Sequence, residues 1–116
     1  MGKRIIVCGG RDYRASARVA VVLQAVLDKH GISAVIQGGA RGADQLAAEW
    51  AWDHGIPVGT FNADWDTHGK SAGILRNIRM LNESNPDAVI AFPGGTGTAH
   101  MVSIAKAKGL PVWEIT

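Results

Sequence analysis

The stretch RIIVCGG, residues 4–10, contains the pattern that decides the fold: a short apolar run that ends in two glycines. The pattern returns in SAVIQGG, residues 33–39, and in AVIAFPGG, residues 88–95. Short β-branched runs bounded by glycine are typical of strands that are buried on both faces of a parallel sheet. We therefore predict three central strands that end in the same kind of loop.

Apolar residues recur at helical spacing between these strands. The first helical segment, about residues 16–29, ends at Gly31, and the second runs from about Ala43 to His54 and Gly55. The predicted buried residues of the two helices are Val19, Val22, Leu23, Val26, Leu27, Ala43, Leu46, Ala47, Trp50 and Ala51.

The rest of the chain continues the alternation of strand and helix. Residues 57–61 predict an edge strand, residues 62–72 a long loop, residues 73–83 and 98–108 helices, and residues 110–115 a last strand. Strands joined by helices in this way form right-handed crossovers and a parallel sheet. We predict an α/β fold, a Rossmann-like three-layer α/β/α sandwich of about five parallel strands in the order 3-2-1-4-5.

Composition narrows the class of protein. With 47% hydrophobic and 19% charged residues, residues 1–116 suit one domain with a buried core. The apolar runs are too short to cross a bilayer, and the first ten residues predict a strand rather than a signal peptide. The single cysteine, Cys8, excludes an internal disulfide and favours a buried thiol in a cytoplasmic protein. The scattered His residues predict no metal site.

The predicted ligand site lies beyond the carboxyl ends of the strands, between the first and the fourth, where the strand order reverses. Glycine lets backbone N–H groups approach a ligand there, and the following helices point their N-termini at the same crevice. Six of the twelve cations fall in or just after strand-end loops: Arg11, Arg14, Arg41, Lys70, Arg76 and Arg79. These features predict a phosphate-bearing ligand, with no further cofactor required.

Three other motifs are rejected. HGKS, residues 68–71, matches the end of a P-loop, but Asp64 occupies the position of the required earlier glycine. GTGTAH, residues 95–100, lacks the last glycine of a dinucleotide fingerprint, and the second strand ends in Gln37 rather than in an acid. The chain contains no GxSxG for a serine hydrolase.

Five motifs in order along the chain resemble the YspA-type branch of the SLOG superfamily. They are GGRDY (residues 9–13), GGARGADQLAAEWA (38–51), ADW (63–65), GKSAGILRNIRM (69–80) and AFPGGTGTAHM (91–101). The resemblance covers nearly the whole chain. It implies a Rossmann-like domain of bacteria and phages that senses or processes nucleotides or nucleotide-derived ligands.

The resemblance extends to the lonely-guy enzymes, which cleave the N-glycosidic bond of nucleoside 5′-monophosphates and carry the motif PGGxGTxxE. Residues 93–98 match this motif, but Met101 stands at the position of its catalytic glutamate. Methionine can neither transfer a proton nor stabilise a positively charged ribosyl centre, so this activity is not carried over. The arginine of those enzymes on the preceding helix corresponds to Arg76 or Arg79, and the spacing leaves this open.

The residues expected to contact the ligand come from the loops after the first four strands and from the helices that follow these loops. They are Gly9, Gly10, Arg11, Asp12, Gly39, Ala40, Arg41, Gly42, Asp44, Lys70, Arg76, Asn77, Pro93, Gly94, Gly95, Thr96, Gly97 and Thr98. The loop of residues 93–98 is expected to cradle phosphate, with Thr98 as an additional or alternative helix N-cap. Asp44 is expected either in the first turn of its helix or against a ribose.

The sequence leaves the roles of several residues open. Trp65 either stacks on a base or anchors its loop, and Asp12, Asp64 and Asp66 are equally ranked candidate acids or bases. Trp52 falls off the buried stripe of its helix, together with Ala48 and Glu49. Its position predicts either a self-association surface or an indole that is partly covered within the monomer. The lonely-guy relatives form dimers, which favours a homodimer or a higher homo-oligomer.

Three functions follow, in order of preference. The first is a sensor or binding protein for a nucleotide-type ligand, because the phosphate loops are intact and the catalytic glutamate is absent. The second is a nucleotide-processing hydrolase that uses another carboxylate. The third is a single-stranded DNA-binding module, as in the DprA relatives. The net charge of only +2 and the absence of a basic stripe disfavour nucleic acid as a partner.

Overall fold

In the computed structural model, which describes residues 2–116, five strands alternate with helices along the chain. The strands are β1 (Lys3–Cys8), β2 (Ile32–Gln37), β3 (Val58–Thr60), β4 (Ala88–Ala91) and β5 (Val112–Glu114). The helices are α1 (Ser16–His30), α2 (Ala43–Asp53), α3 (Trp65–His68), α4 (Ala72–Glu83) and α5 (Thr96–Ala107), with a 3₁₀ turn at Gly69–Ser71. No helix within residues 2–116 is long and apolar enough to span a membrane.

The strands form one parallel sheet in the order β3-β2-β1-β4-β5, so the predicted topology is confirmed. Ile5 of β1 pairs with Val35 of β2 on one side and with Ala88 of β4 on the other. The three apolar runs that end in glycine therefore lie side by side at the centre. The short β3 lies at an edge, as predicted.

Successive strand residues point to opposite faces of the sheet and form two separate cores. Ile5 and Val7 of β1 pack with α1 and α2 on one face. Ile6 and Cys8 pack with α4 and α5 on the other. Helices cover both faces, which makes the three layers of an α/β/α sandwich and explains why the central strands are almost wholly apolar.

The loop predicted at residues 62–72 is largely helical, which corrects the sequence analysis. Asp64 is the N-cap of α3, and its carboxylate accepts a hydrogen bond of 3.1 Å from the backbone N–H of Thr67. Short polar side chains favour N-cap positions because they satisfy an unpaired N–H of the first turn. A hydrogen bond from the Thr67 side chain, together with this backbone hydrogen bond, lowers the pKa of Asp64 below its ordinary value.

Two details of the helices also differ from the predictions. The N-cap of α5 is Gly95 rather than Thr98, so Thr98 lies inside the first turn. In α2, Ala48 is buried although the helical pattern placed it on the outer face. Trp52 is 63% exposed, as expected for a residue off the buried stripe. Its part in self-association stays a prediction.

Candidate functional site

A cleft of about 530 Å³ opens at the carboxyl ends of the central strands, where the strand order reverses. The predicted residues that line it are Gly9, Gly10, Arg11, Ala40, Asp44, Lys70, Arg76, Asn77, Gly95, Thr96, Gly97 and Thr98. It also contains Cys8, Gly38, Gly73, Ile74, Met80 and His100, which sequence reasoning missed, and Trp65, whose role it left open. Loops after β1, β2 and β4 and one face of α4 therefore meet in one place.

The N-terminus of α5 forms the end of the cleft that suits an anion. The backbone N–H groups of its first turn, Thr96 to Thr98, have no carbonyl partner within the helix. The helix dipole adds a partial positive charge at the same place. This end of the cleft can therefore receive phosphate oxygens on backbone donors.

The loop before α5 is held in place by the loop after β1. The N–H of Gly10 donates to the carbonyl of Pro93 over 2.9 Å. A side chain at Gly94 would collide with Thr98 and with the Gly10 nitrogen. Pro93 and Gly94, which were expected to contact a ligand, are not among the residues that line the cleft, and they hold the loops after β1 and β4 together.

Arg76 and Asp44 hold the loop after β2 from both sides of Gly38. The guanidinium of Arg76 donates to the carbonyl of Gly38 over 2.6 Å. The Asp44 carboxylate accepts from the N–H groups of Gly38 at 3.2 Å and of Ala40 at 3.3 Å. Burial lowers the pKa of Arg76, and the Asp44 charge opposes that effect. Arg76 lies in the cleft as a charged group that is already oriented by the protein.

Asp44 combines the two roles that the sequence analysis separated, since it lies in the first turn of α2 and also lines the cleft. It is 6% exposed. Burial raises its pKa to about 6, against the lowering effects of the Ala40 N–H and of the Arg76 charge. Asp44 is therefore an acid that titrates close to neutral pH.

Arg11 and Trp65 form the outer wall of the cleft. The Arg11 guanidinium lies over the indole of Trp65, 5.0 Å from the ring centroid. Trp65 is 48% exposed, and a side chain at Gly73 would lie in ordinary contact with the ring. The indole is thus supported by α4 while a large part of it stays accessible. The structure leaves it able to anchor its loop and to stack on a planar group.

A second cavity of about 390 Å³ adjoins the cleft and shares Arg11, Trp65 and Arg76 with it. Gly39 and Arg41, predicted to approach a sugar or a base, line this cavity rather than the main cleft. Asn62 and Ala63, which precede α3, line it as well. The cleft and this cavity together form a groove that extends beyond the N-terminus of α5.

Other predicted groups lie away from the cleft. Asp12 forms an exposed ion pair of 3.1 Å with Arg41. Asp64 caps α3, and Asp66 is exposed on that helix and outside the cleft lining. Arg79 donates to the carbonyl of Asn62 and lies over Phe61. Among the six predicted cations, the cleft thus contains only Arg11, Lys70 and Arg76.

The two arginines of α4 differ in their relation to the cleft. Arg76 points into the cleft, whereas Arg79, one turn further, binds the loop before α3. Met101, at the glutamate position of the lonely-guy motif, is fully buried in the core below α5. It has no access to the cleft.

Cys8 ends β1 at the floor of the cleft and is buried, as predicted for a small apolar residue. Burial raises the pKa of its thiol to about 12, and the Asp44 charge adds to the effect. The thiol is therefore protonated at neutral pH and is a poor nucleophile. Within residues 2–116, no three His, Cys, Asp or Glu side chains are grouped so that they could hold a metal ion.

Asn77 and His100 connect α4 to the N-terminal part of α5. The Asn77 amide is 4% exposed and donates to the Gly97 carbonyl over 3.1 Å. Its nitrogen also lies 3.1 Å from Nδ1 of His100. His100 follows Thr96 by four residues, which places both on one face of α5. That spacing is the signal by which the sequence could have included His100.

Comparisons with known proteins identify the family of the chain. The family model described as "YspA, cpYpsA-related SLOG family" matches residues 3–68. The Gene 61 protein of Mycobacterium phage D29 is 39% identical over 121 aligned residues, which cover 95% of this chain and 94% of the phage protein. No solved structure matches the chain significantly. The chain belongs to the YspA, cpYpsA-related SLOG family.

Proposed function

We propose that this protein binds a nucleotide or a nucleotide-derived phosphate ligand in the cleft, and that it acts as a sensor or a ligand-binding protein. The observation that carries the proposal is that three cations, Arg11, Lys70 and Arg76, line the same cleft as the N-terminus of α5. Asp44 is the single carboxylate among the cleft residues, so the cleft carries a net positive charge when all four groups are ionised. Such a site favours an anion with several oxygens.

A nucleotide fits this cleft better than a small inorganic anion does. The cleft of about 530 Å³ is within the range of pockets for small organic ligands, and the adjoining cavity extends it. The accessible face of Trp65 offers a surface for a planar base. Membership of the SLOG family supports a ligand that is related to nucleotides.

A thermal-shift screen tests the proposal with nucleoside mono-, di- and triphosphates, cyclic nucleotides, ADP-ribose and NAD. A ligand at a hundred times its dissociation constant adds about 2.7 kcal/mol of stability. For a domain of this size the expected rise in Tm is on the order of 10 °C. If the folded protein responds to no member of the panel, the proposed function is wrong.

Arg11→Ala is expected to weaken binding of the responding ligand by about tenfold, since a charge-assisted hydrogen bond is removed from an accessible wall of the cleft. Arg18→Ala is the matched control, because Arg18 is exposed on α1 and does not line the cleft. Isothermal titration of both variants measures the affinities. Equal losses in the two variants would assign the effect to overall charge rather than to the cleft.

A second candidate function is hydrolysis of a nucleotide, favoured by Asp44. A buried carboxyl whose pKa is about 6 can exchange a proton at neutral pH, as general acid or base catalysis requires. Incubation with nucleoside 5′-monophosphates, followed by chromatography for free base, tests this candidate. Release of base by the wild type and not by Asp44→Asn would support it, and binding without release would leave the sensor function.

A further inference from the structure

The amide of Asn77 lies between groups whose hydrogen-bonding roles are determined by their chemistry. Nε of Arg76 can only donate, and it lies 3.0 Å from Oδ1 of Asn77. The carbonyl oxygen of Gly97 can only accept, and it lies 3.1 Å from Nδ2. Both neighbours place the amide oxygen toward Arg76 and the amide nitrogen toward α5. Two independent contacts, with Arg76 and with Gly97, therefore determine the orientation of the amide.

This orientation determines the tautomer of His100. Nδ1 of His100 lies 3.1 Å from Nδ2 of Asn77. Because an amide nitrogen only donates, Nδ1 must accept and carries no hydrogen. The neutral imidazole has one N–H, which is then on Nε2, and Nε2 is the ring nitrogen left for a ligand. The His100 ring lines the cleft beside the first turn of α5.

We propose that His100 presents a neutral Nε2–H donor to a phosphate oxygen in the cleft, and that Asn77, oriented by Arg76 and by the Gly97 carbonyl, fixes this tautomer. The contact with phosphate rests on the proposed function, whereas the tautomer does not. An uncharged N–H donor orients the phosphate group, while the positive charge of the cleft comes from Arg11, Lys70 and Arg76. With respect to His100, Asn77 is a positioning residue.

The chain contains an internal reference for the opposite tautomer. Nδ1 of His54 lies 2.7 Å from the carbonyl oxygen of Trp50, which can only accept, so neutral His54 carries its hydrogen on Nδ1. ¹⁵N spectra of the unliganded protein, at a pH alkaline enough for neutral rings, distinguish the two forms. We expect opposite patterns for His100 and His54. A His100 ring with its hydrogen on Nδ1, or an even mixture of tautomers, would overturn the proposal.

Asn77→Asp tests whether Asn77 fixes the tautomer. One carboxylate oxygen still faces the donor of Arg76, while the other faces Nδ1 of His100 and can only accept. The hydrogen of His100 is therefore expected to move to Nδ1, and the ¹⁵N pattern should become that of His54. Loss of a buried polar contact alone would not reverse the tautomer. An unchanged pattern in the folded variant would show that Asn77 does not fix it.

Binding of adenosine 5′-monophosphate and of inorganic phosphate tests the donor. In His100→Gln the amide nitrogen can replace Nε2, whereas the shorter side chain of His100→Asn cannot reach that position. We expect His100→Asn to lower the affinity for adenosine 5′-monophosphate about tenfold and His100→Gln to lower it less. Wild-type affinity in His100→Asn would refute the donor role. If the wild type binds neither these probes nor any member of the thermal-shift panel, the donor role fails together with the proposed function, while the tautomer is still decided by the ¹⁵N spectra.

Discussion

Gly42→Ala is expected to lower the free energy of unfolding by about 3 to 5 kcal/mol, the largest effect of any single change considered for this protein. Gly42 precedes α2 with a φ of 78° and a ψ of −130°, a conformation that side chains disfavour. A Cβ there would also collide with the carbonyl oxygen of Gly10 and lie 2.6 Å from the carbonyl carbon of Arg11. Both neighbours are backbone atoms, so a rotamer change cannot relieve the contact.

The collision matters because Gly10 links two loops of the cleft. Its carbonyl oxygen accepts from the N–H of Tyr13 at 3.2 Å and from the N–H of Ala43, at the start of α2, at 3.1 Å. Urea unfolding of Gly42→Ala measures the effect, and a fall in Tm of roughly 10 °C or more should accompany it. Gly55→Ala is the control, since Gly55 has a φ of 67° but nothing within 4 Å of its Cβ position. We expect Gly55→Ala to lower the free energy of unfolding by only about 1 to 2 kcal/mol. Equal losses would show that backbone conformation alone accounts for the effect.

The second large effect is a pH dependence of stability that comes from Asp44. Its pKa is about 6 in the folded protein and 3.8 in an unfolded chain. Between these values the folded state binds more protons, so the free energy of unfolding falls as the pH rises through this window. The difference corresponds to roughly 3 kcal/mol, which is lost in full above about pH 6 and regained as the pH falls toward 3.8.

Asp44→Asn isolates this contribution, because the amide oxygen can still accept from the N–H groups of Gly38 and Ala40 but the group does not titrate. Urea unfolding of both proteins at several pH values across the window gives the comparison. The stability of the wild type relative to the variant should rise by about 2 to 3 kcal/mol as the pH falls. Parallel curves for the two proteins would contradict the raised pKa of Asp44.

Much of the fold could be predicted because its signals are local. The runs around Ile5, Val35 and Val89 are apolar at every position, which is expected only for strands covered on both faces. The α3 segment was missed although Asp64 is a favourable N-cap, because a four-residue helix has no apolar periodicity to detect. The early start of α5 was missed because the glycines of its first turn resemble a loop.

The site was predicted in outline, and its individual residues less completely. Glycine pairs at strand ends indicated the correct edge of the sheet, since parallel strands bring their carboxyl ends together. His100 was missed although it follows Thr96 by four residues, and its contact with Asn77, which belongs to another helix, is visible only in the structure. Asp12 and Arg41 were assigned to the ligand, yet they pair with each other outside the main cleft.

The sequence by itself determined the α/β class, the strand order and the edge of the sheet at which the cleft lies. The class and the edge follow from the spacing of neighbouring apolar residues and glycines, which acts over a few residues. The strand order follows from the right-handed crossovers between successive parallel strands. Only the tertiary structure decided that Arg76 rather than Arg79 enters the cleft, that Asp44 is buried there, and which nitrogen of His100 is free. Burial, charge partners and hydrogen-bond roles depend on distances between elements far apart in the chain, and no local pattern encodes those distances.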